Sequence, residues 1–444
     1  MPRLLLAILA GLIGALPVLF FSPAAQAASR GPCIEGQAKP VCYFWTAKTT
    51  FVADGDTIQV DIDNDGSRAI KSIRFTGINA MELSRYSKYP NRRRGACHGL
   101  AATSLVESYI KRARGRVRLA AQNRNSVTGH RLRRSVAVRS GGRWVDLGRV
   151  VMEQGLALWL PNGTENAHNR EYHNLAEQAA GAQRGMYNPA ACGAGPSPEA
   201  QLKVYVQWDA DGNDSDNLNG EWVDIRNTGT TDVPLAGWWV RDSWLIYNAR
   251  KVPGYEFPAG AVVPAGGTVR LHVGCGTNTG QRFYWCQRSA VFENADRLRS
   301  SGDGAYLFDP QGDLRASMMY PCVFNCSTPL AGAVQVTAHP TTPESVTVRN
   351  VSGGPVDLDG HVLKLHLGGN REKFIFGYPF GAGSQLAPGQ ELRIWMDGSP
   401  SQSAPLERFL GRGAYVLADG GNTVSLRSQT DVTVACDSWG RAHC

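Results

Sequence analysis

The stretch "FVADGDTIQV" (51–60) sets Asp54 and Asp56 on either side of a glycine, directly ahead of an apolar alternating segment. Asp and Gly are turn formers, so a solvated turn is one reading. Two carboxylates held this close repel each other unless a cation offsets them, so a divalent-cation site is the other. "IRFTGINAMEL" (73–83) places Arg74 on a strand and Glu82 just past its end. "GHRLRRSVAV" (129–138) carries Arg131 and Arg133 into a further strand. Together these residues meet the needs of phosphodiester hydrolysis. Attack by water requires a base, which Glu82 supplies. The crowded, more negative phosphorus centre requires fixed donors, and the planar fork of arginine suits two phosphate oxygens. A cation on the paired acids would neutralise the same phosphate.

Positioning such a set takes a rigid scaffold. Apolar alternation predicts short strands at 49–53, 57–63 and 69–76. A helix is expected through "GLAATSLVESYIKRA", with Ala101, Leu105 and Tyr109 stacked at i, i+4. A hairpin with a Gly-Gly turn follows around "SVAVRSGGRWVDL", then helical stretches near 147–155 and 171–184. "CGAGPSPEAQ" (192–201) reads as a linker. Beyond it the pattern is all β and repeats itself. "EWVDIRNTGTTDVPLAGWWVRD" (221–242) matches "ESVTVRNVSGGPVDLDGHVLKL" (344–365), and two later pairs of segments match in the same order. Two copies with short strands and Gly/Pro turns predict two β-sandwiches.

The segments "VADGDTI", "IRFTGINAME", "GHRLRRSVAV", "VVMEQGLA" and "LAEQAAGAQRGMYN" together resemble the staphylococcal (micrococcal) nuclease family over about residues 46–190. The resemblance implies a five-stranded OB-type β-barrel with helices. It makes Asp56 a direct calcium ligand, Asp54 an acid near the ion, Arg74 a phosphate-binding arginine and Glu82 the general base. Arg131 becomes the second catalytic arginine, with Arg133 as the alternative. This chain has Asn79 where the family has an Asp ligand, and Ala80-Met81 where it often has Thr-Pro. The Asn79 oxygen and the Ala80 carbonyl can still ligate, but with one negative charge fewer, so weaker calcium binding or another divalent ion is expected. The two repeats resemble the lamin-tail domain, an immunoglobulin-like module, over about 202–322 and 333–436.

The expected architecture is therefore α+β: a signal peptide at 1–27, a nuclease-like barrel at 28–195, and sandwiches at 200–326 and 333–444. The leader reading rests on Arg3, an apolar run and Ala25-Gln26-Ala27, and predicts an exported protein without stable membrane insertion. Ten cysteines in such a chain predict disulfides. Nearness in sequence pairs Cys33–Cys42, Cys275–Cys286, Cys322–Cys326 and Cys436–Cys444, and Cys97 is left for Cys192. From residue 30 to 198 there are 25 basic and 13 acidic residues, and the window 85–143 holds 16 basic residues against Glu107 alone. That density predicts a polyanion partner, DNA and/or RNA, with Arg92, Arg93 and Arg94 on the backbone phosphates. "DIDNDGS" (61–67) begins like a calcium loop but has Ser72 where the bidentate acid belongs, so it reads as a hairpin turn. Trp159 is the nearest aromatic for stacking a nucleotide, with core packing as its plainer role. The expected function is a secreted, calcium-dependent nuclease. The alternatives are a nucleic-acid-binding protein with impaired catalysis, or an attachment protein acting through sandwiches whose ligand is unknown.

Overall fold

The computed structural model describes residues 29–83, 96–190, 192, 201–210, 213–244, 254–295, 301–367, 374–381, 383–413 and 415–444. The leader read at 1–27 and the triplet Arg92, Arg93 and Arg94 lie outside the described residues. Among the described residues, no helix is long and apolar enough to cross a membrane.

The first unit is built from β1 (Ser29–Pro32), β2 (Val41–Val52), β3 (Thr57–Ile62), β4 (Lys71–Phe75), β5 (Ile78–Ala80), α1 (Ala96–Arg112), β6 (Arg116–Ala121), β7 (Val127–Thr128), β8 (Arg131–Ser140), β9 (Arg143–Asp146), α2 (Leu147–Glu153), β10 (Ala157–Trp159) and α3 (Asn169–Gly181). β2, β3, β4, β8 and β6 pair in that order, and β6 pairs back onto β2. The result is a closed five-stranded barrel, consistent with the OB-type expectation. Alternation explains its filling: in β3 Ile58, Val60 and Ile62 point inward while Gln59 is exposed. The turn after β3 is the expected hairpin, with Asn64 and Gly66 at positive φ and Asp63 ion-paired to Arg116.

Helix α1 is rotated by one position from the expected face. Its core stripe is Ala102, Val106 and Ile110, with Leu105 and Tyr109 on the flank and Ala101 exposed. Both series satisfy i, i+4. The choice falls on the one that turns the small Ala102 to a close backbone approach described below. β2 begins well before residue 49, and β5 and β10 are three residues each, too short for periodicity to reveal.

The first sandwich contains β11 (Leu202–Gln207), β12 (Trp222–Asn227), β13 (Val233–Pro234), β14 (Trp239–Arg241), β15 (Tyr255–Glu256), β16 (Val262–Val263), β17 (Thr268–His272), β18 (Arg282–Tyr284), β19 (Asp303–Phe308) and β20 (Leu314–Tyr320). One sheet runs β11-β12-β17-β18, the other β15-β14-β19-β20, and β13 pairs β16. The second repeat has the same pairing scheme, with Ser345–Asn350 and Val362–Leu367 in the places of β12 and β14. The shared sequence has physical causes. Asn227 and Asn350 each donate to one loop carbonyl and one carbonyl of a short strand, at 2.7 and 3.3 Å and at 2.8 and 2.9 Å. Glu221 and Glu344 are both buried and accept loop amides. The ten cysteines form the five expected disulfides.

Glu221 is fully buried, one of its oxygens has no hydrogen-bond partner, and burial pushes its carboxyl up to about 9. Below the ordinary value of 4.5 the group is neutral whether the chain is folded or not. From there to about pH 9 only the unfolded chain ionises, so stability falls as pH rises. Glu221→Gln should therefore stabilise the protein by roughly 3 kcal/mol at pH 7. Its melting temperature should exceed the parent's at pH 7–8 and converge with it near pH 4. A gain that is equal at both ends would remove ionisation as the cause.

The barrel and the first sandwich share one apolar cluster. Trp239, Tyr306, Phe308, Leu314 and Met319 pack with the barrel core. Around them, Asn169 Nδ2 donates to Ser301 Oγ at 2.9 Å, Arg315 donates to the Pro189 carbonyl at 2.6 Å, and His98 lies 3.3 Å from Asp313.

Candidate functional site

The turn between β2 and β3 is closed by two amides, of Ala53 and Asp54, donating to the Thr57 carbonyl. The Asp56 amide donates back to Asp54 Oδ1 at 2.9 Å. Gly55 stands between the acids because α1 and β5 press on it. A Cβ there would lie 2.4 Å from the Ala102 Cβ and 3.0 Å from the Ala80 Cβ. Gly99, in the first turns of α1, rests in the same way on the backbone of Met81 and Glu82. One helix thus seats both the acidic turn and the glutamate. Gly55→Ala should cost about 1–3 kcal/mol by overpacking, read as a lowered melting temperature of the full chain.

The Phe75 amide donates to the Asp56 carbonyl at 2.7 Å, which fixes the end of β4 beside the start of β3 and sets Arg74 opposite Thr57. Asp56 is almost wholly buried. Its Oδ1 accepts from Arg74 Nη1 and from Thr57 Oγ1, and its Oδ2 accepts the Ala80 N–H at 2.6 Å. Arg74 Nη2 donates to Asn79 Oδ1 at 3.0 Å and to the Ile78 carbonyl at 3.3 Å. Asn79 turns its Nδ2 to the Ser243 carbonyl of the first sandwich, at 3.0 Å. Arg131 Nη1 reaches Thr57 Oγ1 at 3.4 Å.

Burial raises the Asp54 carboxyl, opposed by Arg74, Thr57 and Arg131. Glu82 keeps an exposed side chain, but its carboxyl is set closely enough among protein atoms to be raised, first by burial and then by Asp54. Arg74, Arg131 and Arg241 pull it the other way. Arg74 is lowered to about 10 by burial, with Asp54 and Glu82 opposing and Arg131 and Arg241 adding, so it stays charged at neutral pH.

The structure thus brings Asp54, Asp56, Arg74, Asn79, Ala80, Glu82 and Arg131 together. Arg133 stands opposite Arg74 where β4 pairs β8, yet its charge is not among those acting on Asp54, Arg74 or Glu82. The Arg133 guanidinium lies in the field of Glu165, while its backbone amide holds the Ser126 carbonyl. Arg134 is buried, donates to the Ser126 and Arg124 carbonyls, and lies over Trp45. Trp159 is core: it is buried and stacked on His173 at 3.8 Å between centroids. Thr57, Ser243 and Arg241 are participants that the reading of the sequence missed. Thr57 was signalled by its place beside Asp56. The other two lie over 160 residues from Asn79 and carry no local signal.

Hard oxygen donors are the kind calcium takes. Here Asp56 is saturated by Arg74, Thr57 and Ala80, and the Asn79 oxygen accepts from Arg74. Ala80 offers Asp56 its N–H. In this arrangement the set Asp56, Asn79 and Ala80 does not fit a calcium ion, because the Arg74 guanidinium bridges the two oxygens a cation would take. Among the described residues, one group has three metal-ligating side chains close together, Cys97, His98 and Cys192, and its two sulfurs are bonded to each other.

No curated protein matches the chain. Residues 198–321 match the family model described as Lamin Tail Domain, an immunoglobulin-like fold, and the sandwich that meets Asn79 lies within that match.

Proposed function

We propose that the barrel hydrolyses phosphodiester bonds of nucleic acid, in keeping with its resemblance to the staphylococcal nuclease family. The observation that carries this reading is the meeting of Asp54, Arg74, Glu82 and Arg131 in one electrostatic neighbourhood, with Thr57 linking Arg131 to Asp56. Glu82, exposed and raised by its surroundings, takes a proton from the attacking water. The water oxygen bonds to phosphorus, the ester P–O bond opposite breaks, and the leaving oxygen takes a proton from solvent. Arg131, half-buried at the rim, donates to the non-bridging oxygens as their charge grows. Arg74 adds its charge from behind them, since only 11% of its side chain is exposed. No step here passes through a metal. The protein is proposed to work outside the cell, a reading that the five disulfides support.

A second reading, a nucleic-acid binder without turnover, is favoured by one observation: both terminal nitrogens of Arg74 donate within the protein. Incubating the full mature chain with DNA and RNA separates the two. The assay needs calcium, magnesium, manganese or chelator, with binding measured across a salt series. Cleavage supports the hydrolase. Salt-sensitive binding without cleavage in any ion supports the binder. Absence of both cleavage and salt-sensitive binding would sink both readings.

A further inference from the structure

We propose that the first sandwich is a working part of the barrel's site, its Ser243 carbonyl and Arg241 acting through Asn79 to hold Arg74 in place. The proposal rests on the hydrolase reading for the reaction it serves. The contacts form an unbroken chain. Arg74 Nη1 donates to Asp56, and Arg74 Nη2 donates to Asn79 Oδ1 at 3.0 Å. Asn79 Nδ2 donates to the Ser243 carbonyl at 3.0 Å, and the same carbonyl accepts Arg241 Nη2 at 3.1 Å. Arg241 Nε donates to the Asp242 carbonyl at 2.9 Å, and the Ser243 amide donates to Asp303 Oδ1 at 3.1 Å. Asn79, Arg241 and Ser243 are all buried.

The chemistry explains the residue at 79. It must accept from a guanidinium at one end of its side chain and donate to a carbonyl at the other. An amide does both, whereas a carboxylate can only accept. What reads in the sequence as a charge missing from an ion site is, in the fold, a two-ended link between domains.

The repeat supplies an independent observation. "GWWVRD" and "GHVLKL" place Arg241 and Lys364 at the same strand position. Lys364 is also buried; besides Asp431 of its own repeat at 3.5 Å, it reaches backwards to Asp209 at 3.0 Å and to the face of Trp208 at 3.8 Å, both in the preceding sandwich. Each repeat therefore turns a buried cation at this position toward the domain before it. For Lys364 that neighbour is a sandwich. For Arg241 it is the ground behind Arg74. Docking as such rests on the apolar cluster of Trp239, Tyr306, Phe308, Leu314 and Met319, so changes in the polar chain should leave the domains joined. What the polar chain adds is orientation, and orientation of a phosphate-facing guanidinium is worth rate.

The test uses the full mature chain. Asn79→Asp keeps the acceptor for Arg74 but sets a carboxylate against the Ser243 carbonyl. Arg241→Met removes the donor from the sandwich side, together with a charge felt by Arg74 and Glu82. Each variant should lower kcat about tenfold or more with KM within about threefold, at a melting temperature near the parent's. In arginine-labelled NMR spectra the Arg74 guanidinium should show restricted rotation in the parent and faster rotation in Arg241→Met, while in Asn79→Asp its signals should shift, because the carboxylate still pairs with Arg74 but no longer donates to the Ser243 carbonyl. Parent-like kcat together with parent-like Arg74 signals in either variant would overturn the proposal. So would a rise in kcat for Asn79→Asp, the result expected if residue 79 serves only an ion. If the parent cuts no nucleic acid in any cation, the hydrolase reading falls by itself. The guanidinium signals then decide the link: changed signals in both variants uphold it, and unchanged signals refute it.

Discussion

Glu82→Gln should slow cleavage by about 10²-fold or more, the usual worth of a positioned general base, while leaving nucleic-acid binding nearly unchanged. The amide is close to isosteric and cannot accept the proton of the attacking water. Binding should survive because Glu82 is a negative group that adds nothing to affinity for phosphate. Its removal relieves repulsion on Asp54 and on the substrate. Positioning is not at risk, since the backbone at Met81 and Glu82 is held by the close approach of Gly99. The measurement is single-turnover cleavage beside equilibrium binding on the same oligonucleotide. Near-parental turnover would take Glu82 out of the mechanism.

Arg131→Ala should cost about 10²–10³-fold in kcat, the range for deleting one fixed donor to a developing oxyanion. Arg133→Ala should leave kcat within a few-fold. The two arginines stand two positions apart on β8 and look equivalent in the sequence, yet their surroundings differ. Arg131 reaches Thr57, the residue that also donates to Asp56, and its charge is felt by Asp54, Glu82 and Arg74. Arg133 answers to Glu165. Arg131→Lys should recover only part of the loss, because a point charge does not reproduce a planar fork. Equal losses at 131 and 133, or a larger loss at 133, would reverse the assignment.

The second arginine shows where reading a sequence stops. Period-two alternation places both side chains on one face of β8. What separates them is the turn at 53–57 on one side and the segment near Glu165 on the other, and neither is adjacent in the chain. Helix α1 makes the same point. Two interleaved apolar series satisfied its periodicity, and the contact with Gly55 selected between them. The three-residue strands β5 and β10 had too little length to show a period at all, although β5 carries Asn79 and Ala80.

The amino-acid sequence alone determined what depends on local pattern and repetition. Alternation marked the barrel and sandwich strands, the duplicated segments marked a repeated β architecture, and nearness along the chain paired four of the five disulfides. It also delivered the acids, arginines and glutamate that meet at one place, because their types and spacing belong to single turns and strand ends. The tertiary structure alone decided which partner each of them has. Asp56 and Asn79 read as ligands of a cation, but Arg74 takes their oxygens, and the far end of Asn79 belongs to a carbonyl 164 residues away. A buried polar atom must find a partner, and which one it finds is set by how domains dock. That docking is driven by apolar surface, which has no direction and leaves no motif.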